Sequence, residues 1–131
     1  MATIKRFEDL EVLRKARELD NIIYKLSKKE RLSKDFDLKR QALRSSGSIM
    51  DNIAEGFERG GKGEFVQFLS ISKGSAGELR SQIYRSSDRE YLSAEEFANV
   101  NARCEEISKM LQGFMDYLQN STIKGSKYLK E

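Results

Sequence analysis

The stretch Ser48-Ile49-Met50-Asp51-Asn52-Ile53-Ala54-Glu55-Gly56-Phe57-Glu58-Arg59-Gly60-Gly61-Lys62-Gly63-Glu64-Phe65 decides how this chain is read. Gly56, Gly60, Gly61 and Gly63 fall close together in a chain of 131 residues that has only nine glycines. A phosphate-cradling loop of the Walker type needs Gly-x-x-x-x-Gly-Lys-Ser/Thr after a strand. Gly56 and Gly61 have that spacing and Lys62 follows, but Gly63 stands where the magnesium-binding hydroxyl is required. The residues before Gly56 repeat with a helical period, not a strand period. The stretch therefore reads as a tight turn between two helices. Gly60 and Gly61 supply the left-handed geometry that ends the first helix, and Arg59 and Lys62 decorate the turn.

Periodicity extends outward from this turn in both directions. Before it, Leu38, Ala42, Ser45, Ile49, Asn52, Ile53 and Gly56 form one stripe of a helix over about residues 37–57. After it, Phe65, Phe68, Leu69, Ser72, Ser75, Ala76, Leu79 and Ile83 form the stripe of a helix over about 64–86. Both stripes are unusually small in the middle. A glycine inside a helix costs about 1 kcal/mol relative to alanine, so Gly47, Gly74 and Gly77 call for compensation, and close helix contact is the expected one. An earlier helix spans about 7–29, with Val12, Ala16, Leu19, Ile23 and Leu26 stepping by four and three, and Leu10, Leu13 and Ile22 widening the stripe. Acids at its start and Lys25, Lys28 and Lys29 at its end suit the helix dipole. A polar link over 30–34 leads to Asp35 or Asp37 as a cap for the next helix. The last helix, about 94–118, opens on the capping box Ser93-Ala94-Glu95-Glu96. It carries the stripe Phe97, Val100, Cys104, Ile107, Leu111, Phe114, Leu118. Residues 119–131 break the pattern and form a polar tail, with Lys124, Lys127 and Lys130, expected to be mobile. These four amphipathic helices predict an all-α fold, an antiparallel up-and-down four-helix bundle over residues 1–118.

Composition agrees and narrows the function. The chain has no proline, which favours long uninterrupted helices. No apolar run approaches the roughly 18 residues of a membrane span, and the first residues lack the apolar stretch of a signal peptide. A single cysteine, Cys104, excludes an intramolecular disulfide and fits a cytoplasmic protein; its place in a helical stripe makes it a small core residue. Histidine is absent, so no histidine base, Ser-His-Asp or Cys-His arrangement, or histidine metal site can be built. No cofactor, metal or small-molecule substrate is expected. Catalysis would fall to carboxylates such as Glu55 and Glu78, which read instead as residues at the core edge, paired with arginines or capping backbone groups, with a subunit-interface role as the next alternative.

Several motifs match one family in order. Phe7-Glu8-Asp9-Leu10-Glu11-Val12, Asn52-Ile53-Ala54-Glu55-Gly56, Glu64-Phe65-x-x-Phe68-Leu69, Gly74-Ser75-x-x-Glu78-Leu79 and Tyr91-Leu92-Ser93 together resemble the four-helix-bundle family of ribosomal-RNA intervening-sequence proteins over about residues 7–118. That family includes the accessory variability determinant proteins of diversity-generating retroelements. The resemblance implies a bacterial four-helix bundle that assembles as a ring, typically a homopentamer, with no established enzymatic activity. For the retroelement branch it implies nucleic-acid binding and contact with a reverse transcriptase. Asn52, Glu55, Gly56, Gly74, Ser75 and Glu78 would be signature positions, structural or interfacial. Two departures stand out: Leu13 replaces an aromatic residue common after Val12, and Met50-Asp51 replaces a proline often found before the Asn-Ile-Ala-Glu-Gly motif, adding a negative charge.

Candidate nucleic-acid contacts come from the residues themselves. Arg40 and Arg44 are one turn apart off the core stripe. Lys73, Arg80 and Tyr84 share a face of the following helix, and Arg85 comes next. If the two helices pack together, these residues form one basic surface with Arg59 and Lys62 at its end, where cations take phosphates and Tyr84 stacks on an exposed base. Tyr24, Phe36, Phe57, Phe68, Tyr84 and Tyr117 exceed what narrow stripes bury, so leftover apolar surface predicts a homo-oligomer. Two readings follow. One is a ring-forming accessory factor that binds RNA or DNA; the alternative is a protein–protein scaffold that binds no nucleic acid. Neither involves a membrane.

Overall fold

The structure, a computed structural model, describes residues 4–122 and residue 125. A 3-10 turn at Phe7–Asp9 leads into five helices: α1 (Glu11–Leu26), α2 (Glu30–Lys34), α3 (Phe36–Arg59), α4 (Lys62–Asp88) and α5 (Ala94–Gln119). The expected first helix over 7–29 is shorter at both ends. Leu10 is extended, at φ −78° and ψ 126°, and buries its side chain, so the 3-10 turn stays separate from α1. The expected polar link at 30–34 is instead the short helix α2, which Leu32 pins by burying all but 3% of its surface.

Local chemistry sets the remaining boundaries. Asp35 Oδ1 accepts from the Leu38 amide at 3.3 Å and caps α3. Gly60, at φ +86°, ends α3 in the left-handed conformation that glycine adopts without steric cost. Gly61 is extended rather than left-handed, so one glycine makes the reversal and the other starts α4. At α5, Ser93 Oγ accepts from the Glu96 amide at 3.1 Å, while a Glu96 carboxylate oxygen accepts from the Ser93 amide at 2.8 Å.

The four long helices run antiparallel to their neighbours. Ser72 Oγ donates to the Ile49 carbonyl, and further along α4 Arg85 donates to Gln41, so numbers rise on α4 as they fall on α3. Lys73–Gln112 and Arg80–Asn101 give the same sense for α4 and α5. Lys15–Glu106 and Arg103–Glu18 give it for α1 and α5. Ser46 Oγ donates to Asp20 and ties α3 to α1. The core sits between all four. Leu19, Leu38, Ile49, Ile53, Phe65, Leu69, Leu79 and Leu111 are fully buried in it, each side chain contributing about 1.5–3 kcal/mol of transfer free energy. The Phe65 ring meets Phe57 edge-on at 6.0 Å and Phe114 at 5.2 Å. Cys104 is buried, and burial pushes its thiol up to about 12.

The chain after α5 turns back over the α3–α4 turn. Lys62 Nζ donates to the Ser121 carbonyl at 3.1 Å, and Gly125 makes an antiparallel bridge with Gly61. Gln119 ends α5, so the expected mobile tail over 119–131 begins as helix. Its residues 123, 124 and 126–131, with Lys124, Lys127 and Lys130, lie outside the described residues. Among the described residues, no helix is long and apolar enough to cross a membrane.

Candidate functional site

The small residues of the α3–α4 pair fall into two groups. On the inner side, a methyl placed on Gly56 would come 2.7 Å from Phe68 Cβ and 3.0 Å from the Phe65 ring. Only glycine lets the two helices approach there. On the outer side, a methyl on Gly47, Gly74 or Gly77 would meet nothing within 4 Å. The expected tight packing at these three positions is therefore absent within the protomer. Gly74 and Gly77 face solvent, and Gly47 is half-buried.

A polar line joins the two helices along the rim between these sides. Ser48 Oγ and Ser75 Oγ share a hydrogen bond of 2.8 Å across the helices. The Asn52 amide donates to the Ser48 carbonyl at 2.8 Å and to Ser48 Oγ at 2.9 Å. This accounts for two of the signature positions: Asn52 orients Ser48, and Ser48 holds Ser75. Arg44, Gly47, Ser48, Asp51, Asn52 and Glu55, with Leu43, line a hollow on the outside of α3. Glu55 is exposed and paired with Arg59 at 2.8 Å. Arg59 also reaches Glu64 at 3.7 Å, and its guanidinium lies over the Phe68 ring. The Glu55 hydrogen bond raises the Arg59 pKa. Glu78 is exposed, not at the core edge, and has no hydrogen-bond or ion-pair partner among the described residues. No group of three or more His, Cys, Asp or Glu converges among the described residues.

The cations do not form the single basic surface expected from sequence. Lys73, Arg80 and Tyr84 do share a flank of α4, but it leans on α5. There Lys73 donates to Gln112 at 2.7 Å, Arg80 to Asn101 at 3.1 Å and to Glu105 at 3.2 Å, and Tyr84 meets Phe97 edge-on at 4.9 Å. Arg85 lies on the opposite flank and donates to Gln41 of α3 at 3.0 Å. Lys62 is engaged with the chain beyond α5, and Arg59 with two glutamates. Arg40 and Arg44 alone among the eight candidates are exposed on α3 with no hydrogen-bond or ion-pair partner among the described residues.

The leftover aromatics also divide. Phe57 is buried in the core, and Phe68 is half-buried under Arg59. Tyr24, Phe36, Tyr84 and Tyr117 remain exposed. Two of these carry a lysine over the ring, an arrangement that the sequence pattern alone does not single out: Lys28 Nζ stands 4.4 Å from the Tyr24 centroid and Lys39 Nζ 5.1 Å from that of Phe36. The spacing is the available signal, since residues three and four apart on a helix are neighbours. Nearby, the Asp35 carboxylate accepts from Arg89 at 2.6 Å and from the Tyr91 hydroxyl at 2.9 Å. The Tyr91 hydrogen bond, followed by those from Leu38 and Arg89, holds the Asp35 carboxyl below the usual carboxylate range, and the same bond pushes the Tyr91 hydroxyl up.

The family model described as 23S rRNA-intervening sequence protein matches residues 8–113. Among solved structures, the chain is similar to a Bacteroides thetaiotaomicron VPI-5482 protein with unknown function from the S23 ribosomal protein family. The two are 28% identical at a TM-score of 0.74, over 81% of this chain and 99% of that one. No curated protein matches.

Proposed function

We propose, for a chain that belongs to the 23S rRNA-intervening sequence protein family, a non-enzymatic role as a self-assembling helical bundle that binds nucleic acid in the cytoplasm. The carrying observation is the pair Arg40 and Arg44, exposed one turn apart on a rigid helix and without an internal partner among the described residues. A guanidinium so placed keeps its charge and its donors for a phosphate. Assembly into a ring, expected from the resemblance, draws support from the outer glycines, whose open space suits a neighbouring copy. A ring would repeat the same two arginines and raise avidity without new contacts.

The test is fluorescence anisotropy with labelled RNA, single-stranded DNA and duplex DNA, from low to physiological salt. Binding should fall steeply with salt, by a slope of about 0.7–0.9 per phosphate engaged. The double change Arg40→Ala and Arg44→Ala should weaken it by about tenfold, as expected when two phosphate contacts are lost. Arg59→Ala should change little, because Glu55 and Glu64 already neutralise that guanidinium. Absence of binding at low salt sinks the reading.

A scaffold that binds only protein is the second reading. The engaged state of Lys73, Arg80, Arg85 and Lys62 favours it, since those cations are spoken for within the fold. It predicts a stable oligomer by light scattering with no salt-sensitive nucleic-acid binding, and co-purification is the test for a reverse transcriptase partner.

A further inference from the structure

We infer that the end of the bundle where α1 passes through α2 into α3 is a platform for single-stranded nucleic acid, an inference that rests on the nucleic-acid reading above. Tyr24 and Phe36 take bases on this platform, and Lys28, Lys39, Arg40 and Arg44 take phosphates.

Charge first marks this end. Residues 24–44 hold eight Lys and Arg against three Asp and Glu, a net of +5, while the whole chain is +3 and the remainder therefore −2. Local pairing concentrates the excess further. Glu30 is taken by Lys34, and Asp35 by Arg89 and Tyr91. Lys29 is taken by Glu96. Asp37 is the acid that remains, beside Lys25, Lys28, Arg31, Lys39, Arg40 and Arg44, none of which has an acidic partner among the described residues.

Ring exposure supplies the second, independent observation. Phe36 is 63% exposed and Tyr24 52%, the two highest values among the large exposed hydrophobic residues. Neither ring serves the core, and each stands beside a cation. Phe36 also walls a hollow shared with Arg31, Lys34, Asp35, Asp37 and Tyr91. The Ser46–Asp20 hydrogen bond sets the C-terminal half of α1 beside the N-terminal half of α3, so both rings and all four cations lie in the same half of the bundle, with Arg44 nearest its middle.

Rings and cations together select a single strand. Base faces are hidden inside a duplex, whereas an unpaired strand offers both its phosphates and a π-face at every nucleotide. A duplex would use the cations and leave the rings idle. A patch meant only for phosphate would have no use for Phe36.

The chain lacks tryptophan, so Phe36→Trp provides a single reporter at the proposed contact. Its emission should be quenched by a short oligouridylate and not by a duplex of equal length. Tyr24→Ala and Phe36→Ala leave the net charge unchanged and touch exposed rings only. Each should weaken oligouridylate binding by about tenfold, within the range that one stacked base contributes, with duplex binding and thermal unfolding unmoved. Nucleic-acid binding with no strand preference, unaffected by either alanine change, overturns this inference and leaves the broader reading intact. Absence of binding to every probe overturns both. Polyglutamate competing as well as oligouridylate overturns the inference and assigns the patch to an acidic polypeptide.

Discussion

On the inner side of the α3–α4 pair, a methyl on Gly56 would overlap Phe68; on the outer side of the same pair, a methyl on Gly47, Gly74 or Gly77 would touch nothing. The residue type and the helices are the same, but the physical cause differs. Gly56 is required by the chain's own packing, because its missing side chain lets α4 close on α3. The outer glycines lower helix stability and gain no contact inside the protomer. Nothing within 4 Å among the described residues compensates that cost, and the assembly proposed above would supply the missing contact. Small residues in a helix thus carry two messages, and spacing alone does not separate them.

The largest effect should come from the inner side. Phe65 is fully buried and meets two aromatic rings. Phe65→Ala should destabilise the protein by about 3–5 kcal/mol, the loss typical of deleting a core ring. Urea unfolding measures it. A loss under about 1 kcal/mol would mean that the inner contact does not hold the pair together.

Gly56→Ala should come next. The added methyl gains up to about 1 kcal/mol in helix propensity but is forced against Phe68 Cβ, and overpacking of this kind costs about 1–3 kcal/mol. A net destabilisation near 1 kcal/mol is expected in the same assay. A stabilised variant would erase the distinction between the two sides.

Most of the bundle is legible in the amino-acid sequence. Stripe periodicity and two end signals, the Ser93 capping box and the Gly60 turn, are enough for it, because buried apolar spacing and cap chemistry act locally. The short helix α2 is not legible, since four polar residues surround a single buried anchor, Leu32. The division of the basic residues escapes the sequence for a related reason. Lys73 and Arg85 are each off the core stripe, yet they sit on opposite flanks of α4 and lean on different neighbours. A helical wheel gives the direction of a side chain; it does not give the partner standing there. Asn52 is readable as a residue beside the core, but the link from Ser48, which it bonds, to Ser75 depends on the distance between the helices.

Gly74→Ala and Gly77→Ala should have a smaller effect of opposite sign. At concentrations where the protein is monomeric, each should stabilise it by up to about 1 kcal/mol, because helix propensity is gained and no neighbour is displaced. At concentrations where copies associate, a larger residue such as leucine at position 74 should lower the apparent mass by light scattering. An unchanged mass would remove the outer glycines as support for assembly.

The smallest effect lies on the rim between the two sides, and it is best measured as a coupling. Ser48 and Ser75 share one hydrogen bond at 2.8 Å, and Asn52 donates to Ser48 from the next turn. Ser48→Ala removes the partner of Ser75 and one of the two acceptors of Asn52, leaving it the Ser48 carbonyl, whereas Ser75→Ala removes only the cross-helix bond. Single changes therefore mix several losses, and the double-mutant cycle isolates the pair. A net hydrogen bond contributes about 0.5–1.5 kcal/mol, and partial solvent access at the rim places the expected coupling at the lower end. A coupling of about 0.5 kcal/mol that survives Asn52→Ala would assign the link to the serines themselves. A coupling that vanishes with Asn52→Ala would show that Asn52 holds Ser48 in place for Ser75, which would give the asparagine a positioning role at the boundary between the packed side of the helix pair and the open one.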